Sequence, residues 1–188
     1  KRSSGPVVII CPLPEDSRRM VQVIQAYAGD DAPIYHFPES EILAYERLSI
    51  EAGTVHERLA ALGALHGFLD NDATQPPIIV TSVTGLMQKT ISPDLLLATT
   101  HVLHTDDKIS IDGTLQRWVA MGYTIDALVE ETGTAARRGD IVDIHGPGRH
   151  EPVRIDLWGD RIDTIRIFES ASQRSTDHLQ SLRVLPAA

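Results

Sequence analysis

The chain has 188 residues, with 17 Lys and Arg against 26 Asp and Glu and a formal net charge of −9. With 42% hydrophobic and 23% charged residues it has the composition of one mid-sized domain or two small ones around a buried core, which excludes wholesale disorder. The acidic balance argues against a general nucleic-acid binder, and a lone cysteine, Cys11, excludes an internal disulfide or a zinc site of several thiolates.

Val7-Val8-Ile9-Ile10-Cys11 is an unbroken apolar run closed by Pro12 and Pro14, the pattern of a strand covered on both faces in a parallel sheet. From Asp16 to Tyr27 the apolar positions recur near a 3.6 period, so a helix follows, and Ala32–Pro38 predicts a second strand. Glu51 to Leu69 predicts an amphipathic helix through Val55, Leu59, Leu62, Leu65 and Leu69. Asn71 to Pro77 reads as a loop, Ile78–Thr81 as a third strand and Val83–Met87 as a short helix. Strand, helix, strand, helix, strand implies right-handed parallel crossovers and a three-layer α/β lobe.

The pattern changes near Ser92-Pro93. His101–Ser110 reads as a strand and its exit, and Ile111–Met121 as a helix ended by Gly122. Short strands follow at Ile125–Val129, Gly139–His145, Pro152–Trp158 and Arg161–Phe168. A hairpin loop begins at Gly146-Pro147-Gly148, and Gly159-Asp160 has the length of a two-residue hairpin turn. The expected architecture is therefore an α/β lobe over residues 1–95 and a small α+β lobe with an antiparallel sheet over 96–188.

No run of 18 apolar residues is present and the run after Pro6 is too short for a signal peptide, so a cytoplasmic chain without membrane partners is expected. The first residue is not Met, which suggests a piece of a longer protein.

The first lobe has the strand–helix order of a nucleotide-binding fold without a phosphate loop. Its first turn, Cys11-Pro12-Leu13-Pro14-Glu15-Asp16, lacks two N–H donors and adds two carboxylates, which repel phosphate. Gly85-Leu86-Met87-Gln88-Lys89-Thr90 does not place glycine beside lysine, and the chain has only three lysines. No cofactor is expected. His101 and His104, with Asp106 and Asp107, have metal-ligand spacing, but on a strand positions three apart face opposite ways. Ser175, Asp177 and His178 lack a nucleophile elbow, and Glu39, Glu41 and Glu46 around Tyr45 read as a solvated loop. No catalytic or metal site is predicted.

Between Arg137 and Arg174 lie seven of the fourteen arginines and seven acidic residues, a balanced composition that suits protein contacts better than a phosphate track. Along 152–158, Val153, Ile155 and Leu157 share one face, leaving Arg154, Asp156 and Trp158 on the other. An outward Trp flanked by Arg has the composition of an interface hot spot; alternatively Trp158 folds over the sheet edge with an arginine stacked on it. Gly139 reads as a bulge that turns Arg137 and Arg138 toward the same outer surface, or one arginine pairs with Asp140 or Asp156.

Arg138-Gly139-Asp140-Ile141-Val142-Asp143-Ile144, Pro152–Asp160, Ile165–Phe168 and Ser172-Gln173-Arg174-Ser175 resemble the UvrA-contacting domain shared by UvrB and the bacterial transcription-repair coupling factor, Mfd. Phe37-Pro38, Tyr45–Ser49, Glu57-Arg58-Leu59, Ile79–Val83 and Leu86-Met87-Gln88 resemble the coupling factor's first domain. The tyrosine-rich insertion expected of UvrB is absent, which favours the coupling factor.

The resemblance implies a degenerate helicase-like domain over 1–95 and a UvrA-contacting domain over 96–188. It implies a non-catalytic adaptor that recruits UvrA to stalled RNA polymerase, with polymerase contacts, DNA contacts and the ATP-driven motor in segments outside this chain. It assigns partner contacts to Arg138, Arg154 and Trp158, the last a departure from the family's usual Phe; beside these, Arg137 and Arg166 are weaker candidates of the arginine-rich stretch itself. Two alternatives stand beside it: an autoinhibitory clamp on the motor of the full-length protein, and a nucleotide- or metal-dependent enzyme domain.

Overall fold

The computed structural model describes residues 5–29, 32–40, 51–69 and 74–188. The motif at Tyr45–Ser49, the carboxylates Glu41 and Glu46, and part of the Asn71–Pro77 loop lie outside them. The fold is α/β, and the chain divides into two compact units, Lys1–Pro93 and Asp94–Ala188.

In the first unit, β1 (Val7–Cys11), β2 (Ile34–Phe37) and β3 (Ile78–Ser82) form a parallel sheet in the order β1-β3-β2. α1 (Pro14–Ala28) connects β1 to β2 and α2 (Ala52–Leu69) connects β2 to β3. Central β3 is buried through Ile79, Val80, Thr81 and Ser82. β1 corrects its expectation: it is an edge strand with Val8 and Ile10 each 51% exposed, because a run of apolar residues does not encode whether the strand gains a second neighbour. α2 is not simply amphipathic either. Arg58, Leu59, Ala60 and Ala61 are consecutive and all buried, as in a helix covered on more than one side.

The buried guanidinium of Arg58 organises the carboxyl end of this sheet. It stacks 4.0 Å over Phe37 and donates from Nη1 to the Pro38 carbonyl at 2.6 Å and from Nη2 to the Lys89 carbonyl at 3.3 Å. Gln88, which follows α3 (Val83–Met87), pairs with the backbone of Ser40, accepting its N–H at 2.7 Å and donating to its carbonyl at 2.9 Å. These bonds explain Phe37-Pro38, Arg58 and Gln88 as parts of one joint.

The second unit begins in α4 (Pro93–Thr99), a helix the sequence reading omitted although Ser92-Pro93-Asp94 is a helix-start pattern. β4 (His101–His104) leads to α5 (Ile111–Ala120), whose N-cap Ser110 accepts the Gly113 N–H at 3.3 Å. A six-stranded sheet follows, made of β5 (Thr124–Ile125), β6 (Thr134–Arg138), β7 (Ile141–His145), β8 (Val153–Trp158), β9 (Arg161–Phe168) and β10 (Ser175–Leu179), with spatial order β10-β9-β8-β7-β6-β5. It is antiparallel except for β5, which is shorter than the expected Ile125–Val129 strand and pairs parallel to β6. β11 (Ser181–Val184) pairs antiparallel with β4. Val142, Ile144, Val153, Ile155, Leu157, Ile162 and Ile165 pack with Trp118, Leu103 and Leu182 into one core.

Gly139 is not a bulge. It opens a two-residue turn between β6 and β7 with φ +64°, and Gly159 opens the matching β8–β9 turn with φ +66°. Glycine with positive φ at the first turn position is the type II′ pattern, which matches the twist of antiparallel strands. The register shift lies instead between Asp156 and Leu157, opposite Thr164 and Ile162.

Two outcomes follow from this packing. Arg58→Met leaves the carbonyls of Pro38 and Lys89 without their donor and is expected to destabilise the first unit by about 2 kcal/mol or more, measured as faster amide exchange at Val80 under native conditions. In the second unit, Trp118 donates from Nε1 to His101 Nδ1 at 3.2 Å. Burial and Arg117 pull the His101 pKa below the ordinary 6.5, against a smaller opposing effect of Asp107. The unfolded chain therefore binds this proton more readily, and stability falls as pH drops below that value. Urea midpoints measured from about pH 7 to about pH 5 are expected to decline less steeply in His101→Asn, whose Oδ1 accepts the indole N–H but does not titrate.

Candidate functional site

Strand alternation and register determine which side chains share the outer face of the six-stranded sheet. Ala136, Asp143, Arg154 and Arg166 lie in one row across β6 to β9, and Arg138, Ile141, Asp156 and Thr164 in the next. Trp158 is two residues beyond Asp156 on the same face.

Asp143 anchors this face. Its side chain is only 3% exposed, so the carboxylate needs cationic donors in place of water. Arg154 supplies two, from Nε to Oδ1 at 2.7 Å and from Nη2 to Oδ2 at 2.8 Å, and Arg138 adds Nη2 to Oδ2 at 2.6 Å. Arg154 also stacks 4.3 Å over the ring of fully buried Phe168. Its pKa is raised, chiefly by the hydrogen bond to Asp143, so it stays charged. Two guanidiniums against one carboxylate leave the cluster with one positive charge.

The five predicted arginine and tryptophan positions have different surroundings. Trp158 is 85% exposed at the β8–β9 turn, so of the two sequence readings the outward one describes it. Arg138 is 41% exposed, while Arg154 is 12% exposed. Arg166 bonds Asp156 through Nε at 3.1 Å and through Nη2, a neutral pair on the same face. Arg137 departs from the group: as Arg138's neighbour on a strand it points to the opposite face, where Nη1 reaches Asp112 of α5 at 2.6 Å. The hairpin leaves both arginines in strand alternation, whereas a bulge would have changed it.

Arg138 and Trp158 are brought together by topology. Each is the last strand residue before a Gly-Asp turn, at the same end of neighbouring hairpins, with only β7 between their strands. Two strand spacings across and two residues along place their Cα atoms roughly 12 Å apart. Sequence reading missed Asp143, Phe168 and Gln173 as parts of the site. The available signal was the single Asp between Val142 and Ile144, an acid within the apolar stretch of β7.

Other candidates do not form reactive sites. Ser17, His36 and Glu57 have the connectivity of a hydrolytic triad, with Ser17 Oγ to His36 Nε2 at 3.0 Å and His36 Nδ1 to Glu57 Oε2 at 2.7 Å. Ser17 is wholly buried, however, and its hydroxyl donates to the Pro14 carbonyl at 2.7 Å, so the three residues act as a strut between α1, β2 and α2. His101 serves Trp118 while His104 is exposed beside Asp107. Among the described residues no group of three His, Cys, Asp or Glu side chains is placed to hold a metal, and no helix is long and apolar enough to cross a membrane.

Comparison with known proteins gives matches for the sequence that builds this site. Residues 102–188 match the UvrB interaction domain. The chain is 34% identical over 154 residues to the transcription-repair-coupling factor of Myxococcus xanthus, covering 82% of this chain and 12% of that protein. It is 34% identical over 173 residues to that of Mycobacterium tuberculosis, covering 91% and 14%. With that of Escherichia coli K12 it shares 27% identity over 187 residues, covering 100% of this chain and 16% of the relative. The chain thus spans about a seventh of the length of these relatives. Residues 102–188 thus carry a UvrB interaction domain, and over most of its length the chain is similar to transcription-repair-coupling factors.

Proposed function

We propose that this chain is a non-catalytic adaptor module that docks UvrA during transcription-coupled nucleotide excision repair, through Arg138, Arg154 and Trp158 on the outer face of the second unit. The observation that carries the reading is Trp158, 85% exposed beside a cluster with one surplus positive charge. An exposed indole next to a fixed guanidinium gives a partner both an apolar anchor and a charge-assisted hydrogen bond.

The roles within the site differ. Trp158 fills a pocket on UvrA and Arg138 meets a carboxylate or carbonyl there. Arg154 acts mainly from beneath, holding Asp143 and through it Arg138. Arg166, neutralised by Asp156, belongs to the rim, and Arg137 supports α5 from the other face. Residues 1–95 serve as a degenerate helicase-like domain, supported by a β1–α1 turn in which Pro12 and Pro14 lack N–H donors and Glu15 and Asp16 occupy the first helical turn. RNA polymerase, DNA and ATP would be engaged by parts of the coupling factor outside this chain.

Calorimetric titration of the chain against UvrA tests the assignment. Trp158→Ala is expected to weaken binding by about 2 kcal/mol, roughly 30-fold. Its thermal unfolding should stay within about 0.5 kcal/mol of the parent because the indole lies outside the core. Unchanged affinity in Trp158→Ala removes the anchor, and no binding by the parent chain removes the function. Arg154→Ala should behave differently. It strips the buried Asp143 carboxylate of two donors, so urea denaturation is expected to show a loss of about 3 kcal/mol alongside any loss of affinity.

A further inference from the structure

The turn over residues 169–174 connects β9 to β10 and carries one of the chain's two non-glycine residues with positive φ among those described, Gln173 at +59°. A residue with a β-carbon holds this conformation at a cost that glycine does not incur. The backbone N–H of Gln173 donates to the Glu169 carbonyl at 2.8 Å, and the Glu169 N–H donates to the Arg174 carbonyl at 3.0 Å, which closes the turn. Neither bond requires a glutamine side chain.

The side chain engages the arginine cluster. Gln173 Oε1 accepts from Arg154 Nη2 at 2.9 Å and from Arg138 Nη2 at 3.2 Å. Its Nε2 donates to the Ser170 carbonyl at 2.8 Å, which fixes the amide orientation, since the reverse would point N–H groups at guanidinium donors. Arg154 is therefore bounded by Asp143 at one edge, Phe168 on one face and Gln173 above. Arg138 has fewer restraints: among the described residues its side-chain hydrogen bonds leave from Nη2 alone, toward Asp143 and Gln173.

We propose that Gln173 is a positioning residue for the docking face. Its carboxamide oxygen, shared by both guanidiniums, holds Arg138 in the orientation that presents its remaining donors to a carboxylate of the partner. This rests on the UvrA-docking reading, and the surplus charge of the cluster is what selects an acidic group on the partner. The turn over 169–174 thereby belongs to the recognition surface although its backbone closes without the glutamine side chain.

Gln173→Gly separates this role from a structural one, because glycine tolerates the +59° backbone while removing the side chain and with it the carboxamide. In the free chain, nitrogen-15 relaxation of the arginine side chains is expected to show faster Arg138 guanidinium motion in Gln173→Gly, with Arg154 Nε still restrained by Asp143. In titrations with UvrA, Gln173→Gly is expected to weaken binding about fivefold, and to add less than about twofold in an Arg138→Ala background. Unchanged Arg138 motion overturns the proposal whether or not UvrA binds. Unchanged affinity, or an equal loss in both backgrounds, overturns it as well. A parent chain that fails to bind UvrA while Arg138 motion responds as expected sinks the docking reading and leaves the positioning role standing.

Discussion

A carboxylate withdrawn from water on the outer face of a sheet governs the second unit. Asp143 is almost fully buried although it points away from the main core, and an ionised group so placed persists only with strong donors around it. The β7–β8 register sets Arg154 directly opposite. Once Arg154 turns to Asp143, its other surfaces require partners, and Phe168 and the 169–174 turn supply them. One buried charge thus explains why an aromatic ring is fully covered on the sheet face turned away from the main core, and why a glutamine holds a left-handed backbone.

The first unit solves a similar problem with opposite charge. Arg58 is buried, with Glu39 acting on it electrostatically, and its donors go to backbone carbonyls and to Gln88. Burial lowers its pKa, with Glu39 acting against that. Residues that a motif comparison quotes as signatures thus divide by role. Arg58 and Gln88 maintain the carboxyl edge of a sheet, whereas Arg138 and Trp158 have surface left over for something else.

How much of this was legible depends on what each residue type reveals alone. The alternation in β8 was legible because three apolar residues at a period of two leave no other assignment, and it placed Arg154, Asp156 and Trp158 on one face. β6 was not, because Thr-Ala-Ala-Arg-Arg contains a single β-branched residue and its full-length pairing comes from β7, with β5 meeting only Thr134 and Ala135. Arg154 and Trp158 looked equivalent in sequence, yet exposure separates them; Arg154 is buried by partners 11 and 19 residues away. Gln173 was the least legible, since no local pattern announces a non-glycine left-handed residue or aims its side chain at two distant arginines.

The contrast between Arg154 and Trp158 bears on how such a face recognises a partner. A guanidinium already fixed by a carboxylate, a ring and an amide loses little freedom when a complex forms, and lowering that ordering cost is how preorganisation improves affinity. Trp158 contributes differently. Most of its surface faces water in the free chain, and its apolar area is removed from water only when a partner covers it. The type II′ turns at Gly139 and Gly159 join the two strategies by placing Arg138, held through Asp143 by Arg154, and Trp158 at one end of the sheet on rigid hairpins. A loop could carry the same residues, but it would have to order them during docking; a sheet whose register is set by a buried charge has ordered them in advance.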